Sequence, residues 1–225
     1  MIRPDITARR IGSEAQPIAI VDGFHPDPDA LREQARSAPF EPGRHHYPGV
    51  RAPLPHDYFA AVRPALTAVT HGVFPHAGGI ALIDASYAMV TQAPESLSIV
   101  QRLPHVDAFD ADRIALVHYL DPAGGDGTAF FRHRSTGFET IDPQRRPIYF
   151  DMLEAELRHG GPPAAGYVCD STPLFERTAH VEARYNRAVI YRSALLHSGA
   201  IRPGASLDVD PTRGRLTVTA FLSLG

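Results

Sequence analysis

The sequence predicts a mainly β fold, a jelly-roll or barrel core with flanking helices. Three observations carry this. From residue 80 onward, short apolar or alternating runs are separated by Gly, Pro and Asp, the texture of antiparallel strands. Eight such runs occur, and helical periodicity is concentrated in front of them. The chain has 225 residues, 44 % hydrophobic and 21 % charged, which suits a folded domain with a buried core. We expect one domain over 1–225, with 1–79 an N-terminal strand and helix elaboration and 80–225 the β core.

In order along the chain, the apolar run Ile18 to Val21 reads as a strand, and Asp22-Gly23-Phe24 turns it. Asp27 suits an N-cap with Pro28 at the first helical position, and Leu31, Ala35 and Ala38 recur at helical spacing, predicting about three turns. Prolines between Pro42 and Pro55 forbid regular helix or central strand, so that stretch reads as an ordered loop or lid. Phe59, Val62, Leu66 and Val69 form the apolar face of a second helix over 57–73, with Pro64 near its start or kinking it. Strands are expected at 86–92, 97–103, 113–120, 127–133, 174–182, 187–192, 195–200 and 214–223. A helix over 143–158 carries Ile148, Met152, Leu153, Ala155 and Leu157 and stops at Gly160-Gly161. The run Gly124 to Gly127 reads as a hairpin turn, since no helix follows to make a phosphate cradle.

Composition narrows the function classes. With 22 Lys plus Arg against 25 Asp plus Glu, the formal charge is −3 and no basic cluster alternates with aromatics, so nucleic acid is an unexpected partner. A single cysteine, Cys169, excludes an internal disulfide framework and a multi-thiolate zinc site. No run of apolar residues is long enough for a membrane span, and the first ten residues lack the apolar core of a secretory signal, so the chain reads as cytoplasmic.

The sharpest chemical signal is Leu103-Pro-His-Val-Asp107. On an extended chain His105 and Asp107 share a face, so imidazole and carboxylate can converge on one cation. A second histidine, His197, ends the apolar run Ala194-Leu-Leu and precedes Ser198-Gly199 and the final strand. Two histidines and one carboxylate make the facial triad of non-haem Fe(II), which leaves positions open for other ligands.

In the order of these motifs, His-Val-Asp, a strand ending Tyr119-Leu-Asp, Gly-Gly-Asp-Gly-Thr-Ala-Phe-Phe, Leu-Leu-His-Ser-Gly and a basic residue on the last strand, the sequence resembles the Fe(II)- and 2-oxoglutarate-dependent oxygenases. The likeness is to their prolyl-hydroxylase-like branch and spans about residues 97–223. It implies a double-stranded β-helix fold and a metal held by His105, Asp107 and His197. It also implies 2-oxoglutarate anchored by Arg215, with Thr217 two residues on and Tyr119 offering a hydrogen bond to the same carboxylate. A guanidinium fork suits that role because it gives two parallel donors and keeps its charge. The implied reaction couples decarboxylation of 2-oxoglutarate to succinate and CO2 with oxidation by O2 of a C–H bond in a small molecule, amino acid or peptide. Asp107 disfavours halogenation, because halogenating relatives carry a small residue there.

Arg215 lies 18 residues beyond His197, as in the nucleic-acid-repair branch, so Arg213 and Arg202 remain alternative anchors. Candidates for substrate recognition are the loop with His45, His46, Tyr47 and Arg51, and the strand bearing Phe131, Arg132, His133 and Arg134. The other histidines, His25, His56, His71, His76, His118, His159 and His180, show no ligand spacing. A cupin-like metal enzyme without cosubstrate and a non-catalytic binding module are the competing readings. Oligomeric state is not legible.

Overall fold

The computed structural model describes residues 4–44, 46–74 and 78–225, so His45 and His76 lie outside the described residues. In chain order the elements are β1 (Asp5–Ile11), β2 (Gln16–Asp22), α1 (Pro28–Ala35), β3 (Glu41–Pro42), β4 (Gly49–Ala52), α2 (Tyr58–Val73), β5 (Ile80–Val90), β6 (Arg113–Tyr119), β7 (Gly127–His133), α3 (Arg145–Gly160), β8 (Phe175–Glu182), β9 (Arg187–Arg192), β10 (His197–Gly199) and β11 (Leu216–Leu224). Among the described residues the strands make two antiparallel sheets. The larger runs β1-β2-β9-β6-β11-β5-β4-β3 and the smaller β10-β7-β8. A backbone bridge between His105 and His197 adds a further rung beside β10.

Alternation along β11 shows how the layers assemble. Leu216, Val218, Ala220, Leu222 and Leu224 face outward and pack with Leu31 and Ala35 of α1 and Val62, Leu66 and Val69 of α2. Arg215, Thr217, Thr219 and Phe221 alternate with them and face the smaller sheet. There the interior is built from Ile18, Ile20, Ala115, Tyr119, Phe130, Val181, Val189 and Tyr191. The other side of the smaller sheet is sealed by α3, whose Tyr149 and Leu153 cover Phe131, Phe175 and Leu196. The result is helix, sheet, sheet, helix, the jelly-roll architecture expected from the strand pattern. Among the described residues, no helix is long and apolar enough to cross a membrane.

Local chemistry accounts for most boundaries. The Asp27 carboxylate accepts from the Ala30 N–H and caps α1, with Pro28 in its first turn, but the helix is eight residues, about two turns. Pro64 stands inside α2, where it cannot donate to the Ala60 carbonyl; burial of Val62, Leu66 and Val69 outweighs that loss.

Four readings are corrected. Residues 97–103 are not a strand: Ile99–Arg102 is a short 3-10 helix, because the Gln101 carboxamide accepts from both the N–H and hydroxyl of Ser98. The Pro-rich stretch holds two short strands, β3 and β4, at the far edge of the larger sheet, where proline is tolerated. β1 was not foreseen, since its alternation is of charged and exposed residues. The Gly124 to Gly127 run is a crossover rather than a hairpin, for it links β6 of one sheet to β7 of the other. Gly124 and Gly125 take φ of 61° and 96°, which only glycine adopts freely.

Candidate metal centre

Backbone pairing positions the donor set. The N–H of His105 donates to the His197 carbonyl at 2.9 Å and the N–H of His197 returns the bond at 2.9 Å, so the two histidines stand directly opposite each other. Their ring centroids are 4.4 Å apart. Two residues on, the Asp107 N–H donates to the Ser193 carbonyl at 2.9 Å, which fixes the segment to the turn after β9. The carboxylate then lies 3.8 Å from His105 Nε2 and 3.4 Å from His197 Nε2. Among the described residues these three make the one group of metal-ligating side chains, with donor atoms within 4.8 Å of one another.

The surroundings prepare these atoms for a cation. His197 Nδ1 is 2.9 Å from the Leu195 carbonyl, which can only accept. The proton therefore sits on Nδ1, and Nε2 keeps its lone pair toward Asp107. The crowding of protein around the group disfavours charge. It lowers His105 to about 4, helped by His197 and opposed by Asp107, and lowers His197 to about 4 against the Leu195 carbonyl. The same burial raises Asp107 to about 6, opposed by His105 and Arg51. Near neutral pH both rings are thus neutral and the carboxylate is ionised, the protonation states that metal binding requires. His197 is buried, whereas the His105 side chain is 54 % exposed, so the group is open to solvent on the His105 side.

The other predicted residues lie on the inner face of the larger sheet. Thr217 stands opposite Tyr119 on β6 and Ala88 on β5. Its hydroxyl donates to the Ala88 carbonyl at 3.0 Å, and the Tyr119 hydroxyl shares a 2.7 Å hydrogen bond with Thr128 of the smaller sheet. Arg215 is buried; one Nη donates to the Gly127 carbonyl at 3.0 Å, Asp126 lies 3.8 Å from Nε, and that Nε has no hydrogen-bond partner. The Thr219 hydroxyl, four residues further along the chain, is likewise buried without one. Orphaned buried donors are costly unless a ligand meets them, so this floor fits an anionic guest. The alternative anchors differ. Arg213 is exposed and spent on Asp208 and Asp210, and Arg202 is exposed; with Arg215 both border a cavity of about 280 Å³. A second cavity, about 260 Å³, is lined from β1, β2, β8 and β9 by residues that include Asp22, His180 and Arg187, and by neither His105 nor His197.

The recognition strand needs correction. Phe131 and His133 point away from the metal group and under α3, where His133 is fully buried against Thr136 and Glu156, 2.9 and 2.8 Å from its ring nitrogens. Arg132 pairs with Glu176. Phe130 is the inward residue, edge-on to Tyr191 at 5.1 Å, and Tyr191 packs edge-on to His197 at 4.7 Å. Tyr191 was missed; the alternation of the run Arg187 to Arg192 was the signal available.

A family model matches residues 2–222, that of a family of unknown function, DUF6445. The chain belongs to the DUF6445 family. No curated protein matches it. Among solved structures, this DUF6445 chain is similar to HygX from Streptomyces hygroscopicus in two crystal structures. With nickel, 2-oxoglutarate and hygromycin B bound, HygX superposes with a TM-score of 0.50 at 12 % identity; with nickel and 2-oxoglutarate the values are 0.51 and 11 %. Each comparison covers 94 % of the DUF6445 chain and 84 % of HygX. At that identity the likeness shows a shared fold, that of a 2-oxoglutarate-binding jelly-roll protein.

Proposed function

We propose that the chain is an Fe(II)- and 2-oxoglutarate-dependent oxygenase that hydroxylates a C–H bond of a small molecule, amino acid or peptide. The observation that carries this is the convergence of two imidazoles and one carboxylate, open to solvent on the His105 side, in a sandwich whose inner face also carries the buried, part-unpartnered guanidinium of Arg215. HygX, which shares the fold, binds nickel and 2-oxoglutarate, and this supports the reading. His105, Asp107 and His197 would hold the metal, and Arg215, with Thr217 and Tyr119, the far carboxylate of 2-oxoglutarate. When bound, iron and 2-oxoglutarate supply the oxidation: O2 gives one oxygen atom to succinate and one to the substrate, and CO2 leaves. The protein's own part is to keep the ligand lone pairs free, to offer Arg215 Nε to a carboxylate and to line the chamber with Phe130, Tyr191 and Val117 against water.

The test is anaerobic titration of the apo protein with Fe(II) and 2-oxoglutarate, following the weak visible metal-to-ligand charge-transfer band. The band is expected in the wild type, and Arg215→Gln is expected to raise the 2-oxoglutarate concentration needed by at least tenfold. A competing reading, a cupin-like metal enzyme without cosubstrate, draws on the contacts that Arg215 already makes with Gly127 and Asp126. It predicts iron binding that 2-oxoglutarate leaves unchanged.

A further inference from the structure

One inward-facing guanidinium has no role in that scheme. β4 pairs with β5 so that Arg51 stands opposite Ala88, which in turn stands opposite Thr217. Side chains across one rung share a face, so Arg51 projects into the same chamber as Thr217 and Tyr119. Its Nε is buried with no hydrogen-bond partner. The guanidinium carbon lies 4.4 Å from the centroid of the Tyr47 ring, which holds one face and leaves the donor edge free. Its polar contacts are long: 3.5 Å to the Ser86 hydroxyl and 3.9 Å to Asp84, a carboxylate whose side chain is 63 % exposed.

Comparison with Arg215 assigns the two cations different partners. Arg215 is the deeper, 10 % exposed, and has the nearly buried Asp126 as a counter-charge. Arg51 is shallower, 25 % exposed, and its nearest counter-charge, Asp84, stands 3.9 Å away with its own side chain exposed.

We propose that Arg51 binds the substrate and that the substrate carries a carboxylate, received edge-on by the guanidinium on the inner sheet face it shares with Thr217 and Tyr119. The inference rests on the oxygenase reading, in which the cosubstrate occupies the deeper Arg215 end. A bidentate pair of this kind fixes direction as well as affinity, so it would set which C–H bond faces the metal.

The experiment uses the full chain loaded with Zn(II) and 2-oxoglutarate, with N-acetylphenylalanine and its carboxamide as a matched probe pair in calorimetry. The wild type is expected to bind the acid at least tenfold more tightly than the amide. Arg51→Gln should erase that preference while leaving 2-oxoglutarate affinity within twofold; Arg51→Lys, which keeps a point charge, should retain part of it. Unchanged melting temperatures certify that both variants fold. Equal binding of acid and amide by the wild type, or no binding of the acid, overturns the proposal. So does a loss of 2-oxoglutarate affinity in Arg51→Gln equal to that in Arg215→Gln, which makes Arg51 a cosubstrate residue and leaves the oxygenase reading intact. If the wild type takes up no 2-oxoglutarate, it is the oxygenase reading that fails, and the acid preference is then read on the metal-free protein.

Discussion

Asp107 is the donor on which the centre turns, because it faces both imidazoles and is the only charged member of the group. Asp107→Ala is expected to weaken Zn(II) binding by well over the 10–100-fold typical of losing an outer partner of a metal ligand, measured by competition with a chromogenic chelator. A pH series on the wild type adds a second check. The cation needs the carboxylate ionised and the rings neutral, so affinity should fall as pH drops through about 6, where Asp107 protonates, and fall more steeply toward 4, where the imidazoles do. A flat profile between pH 7 and 5 would contradict that order. The same residue scale shows what a sequence can disclose. His105 and Asp107 were readable because two positions apart on an extended chain means one face, and His197 because a strand-ending histidine recurs in the right order. Arg51 was legible, with His45, His46 and Tyr47, as a candidate for substrate recognition on a Pro-rich loop. Its inward aim depends on β4 pairing with β5, a long-range register that no local pattern announces.

At the scale of elements, α2 and β6 meet in a buried polar joint. His118 of β6 is fully buried, with its ring nitrogens 3.2 Å from the Tyr58 hydroxyl and 3.0 Å from the Asn186 amide oxygen. Burial lowers its pKa to about 3, against the Asn186 hydrogen bond. A histidine neutral in the fold and about 6.5 when unfolded contributes stability that is complete above pH 6.5. That contribution is lost as pH falls toward 3, at about 1.4 kcal/mol per pH unit. Urea unfolding at pH 7.5 and 5.5 should show it, and His118→Gln should reduce the difference whatever it does to stability at pH 7.5, the remainder coming from His105 and His197. The apolar side of α2 gives a plainer test. Leu66→Ala should cost about 2–5 kcal/mol by the same measurement, the usual range for a buried leucine. The helices were legible because their apolar positions recur every three or four residues. The 97–103 segment was misread because Ile99 and Val100 look like strand residues but remain about half exposed. The spacing of Ser98 and Gln101 was the local sign of a helical turn.

For the molecule as a whole, the N-terminal hairpin is clipped across the sandwich. Glu139, 1 % exposed, accepts from the Ser13 N–H and hydroxyl and from the Glu14 N–H, and Glu14 accepts from the N–H groups of Glu139 and Thr140 and from Arg145. Glu139→Ala strands those donors and should destabilise the fold by about 1–3 kcal/mol, read as a lower urea midpoint. This reciprocal contact links positions near 14 and 139, and nothing in either stretch foretold it, since each side supplies the other's partners. The jelly-roll class was legible from strand spacing alone; the sheet order was not, because it depends on which distant strands meet.

The reciprocal backbone pair between His105 and His197 also sets a timetable. Half of the candidate metal centre is synthesised long before the other half, and its three donors come together only when the chain closes on itself over that span. A chain released from the ribosome before residue 197 therefore lacks one of the three donors and a strand of each sheet, β10 of the smaller and β11 of the larger. In refolding, capture of the ion should coincide with the final kinetic phase, so that the metal acts as a clock for completion of the sandwich.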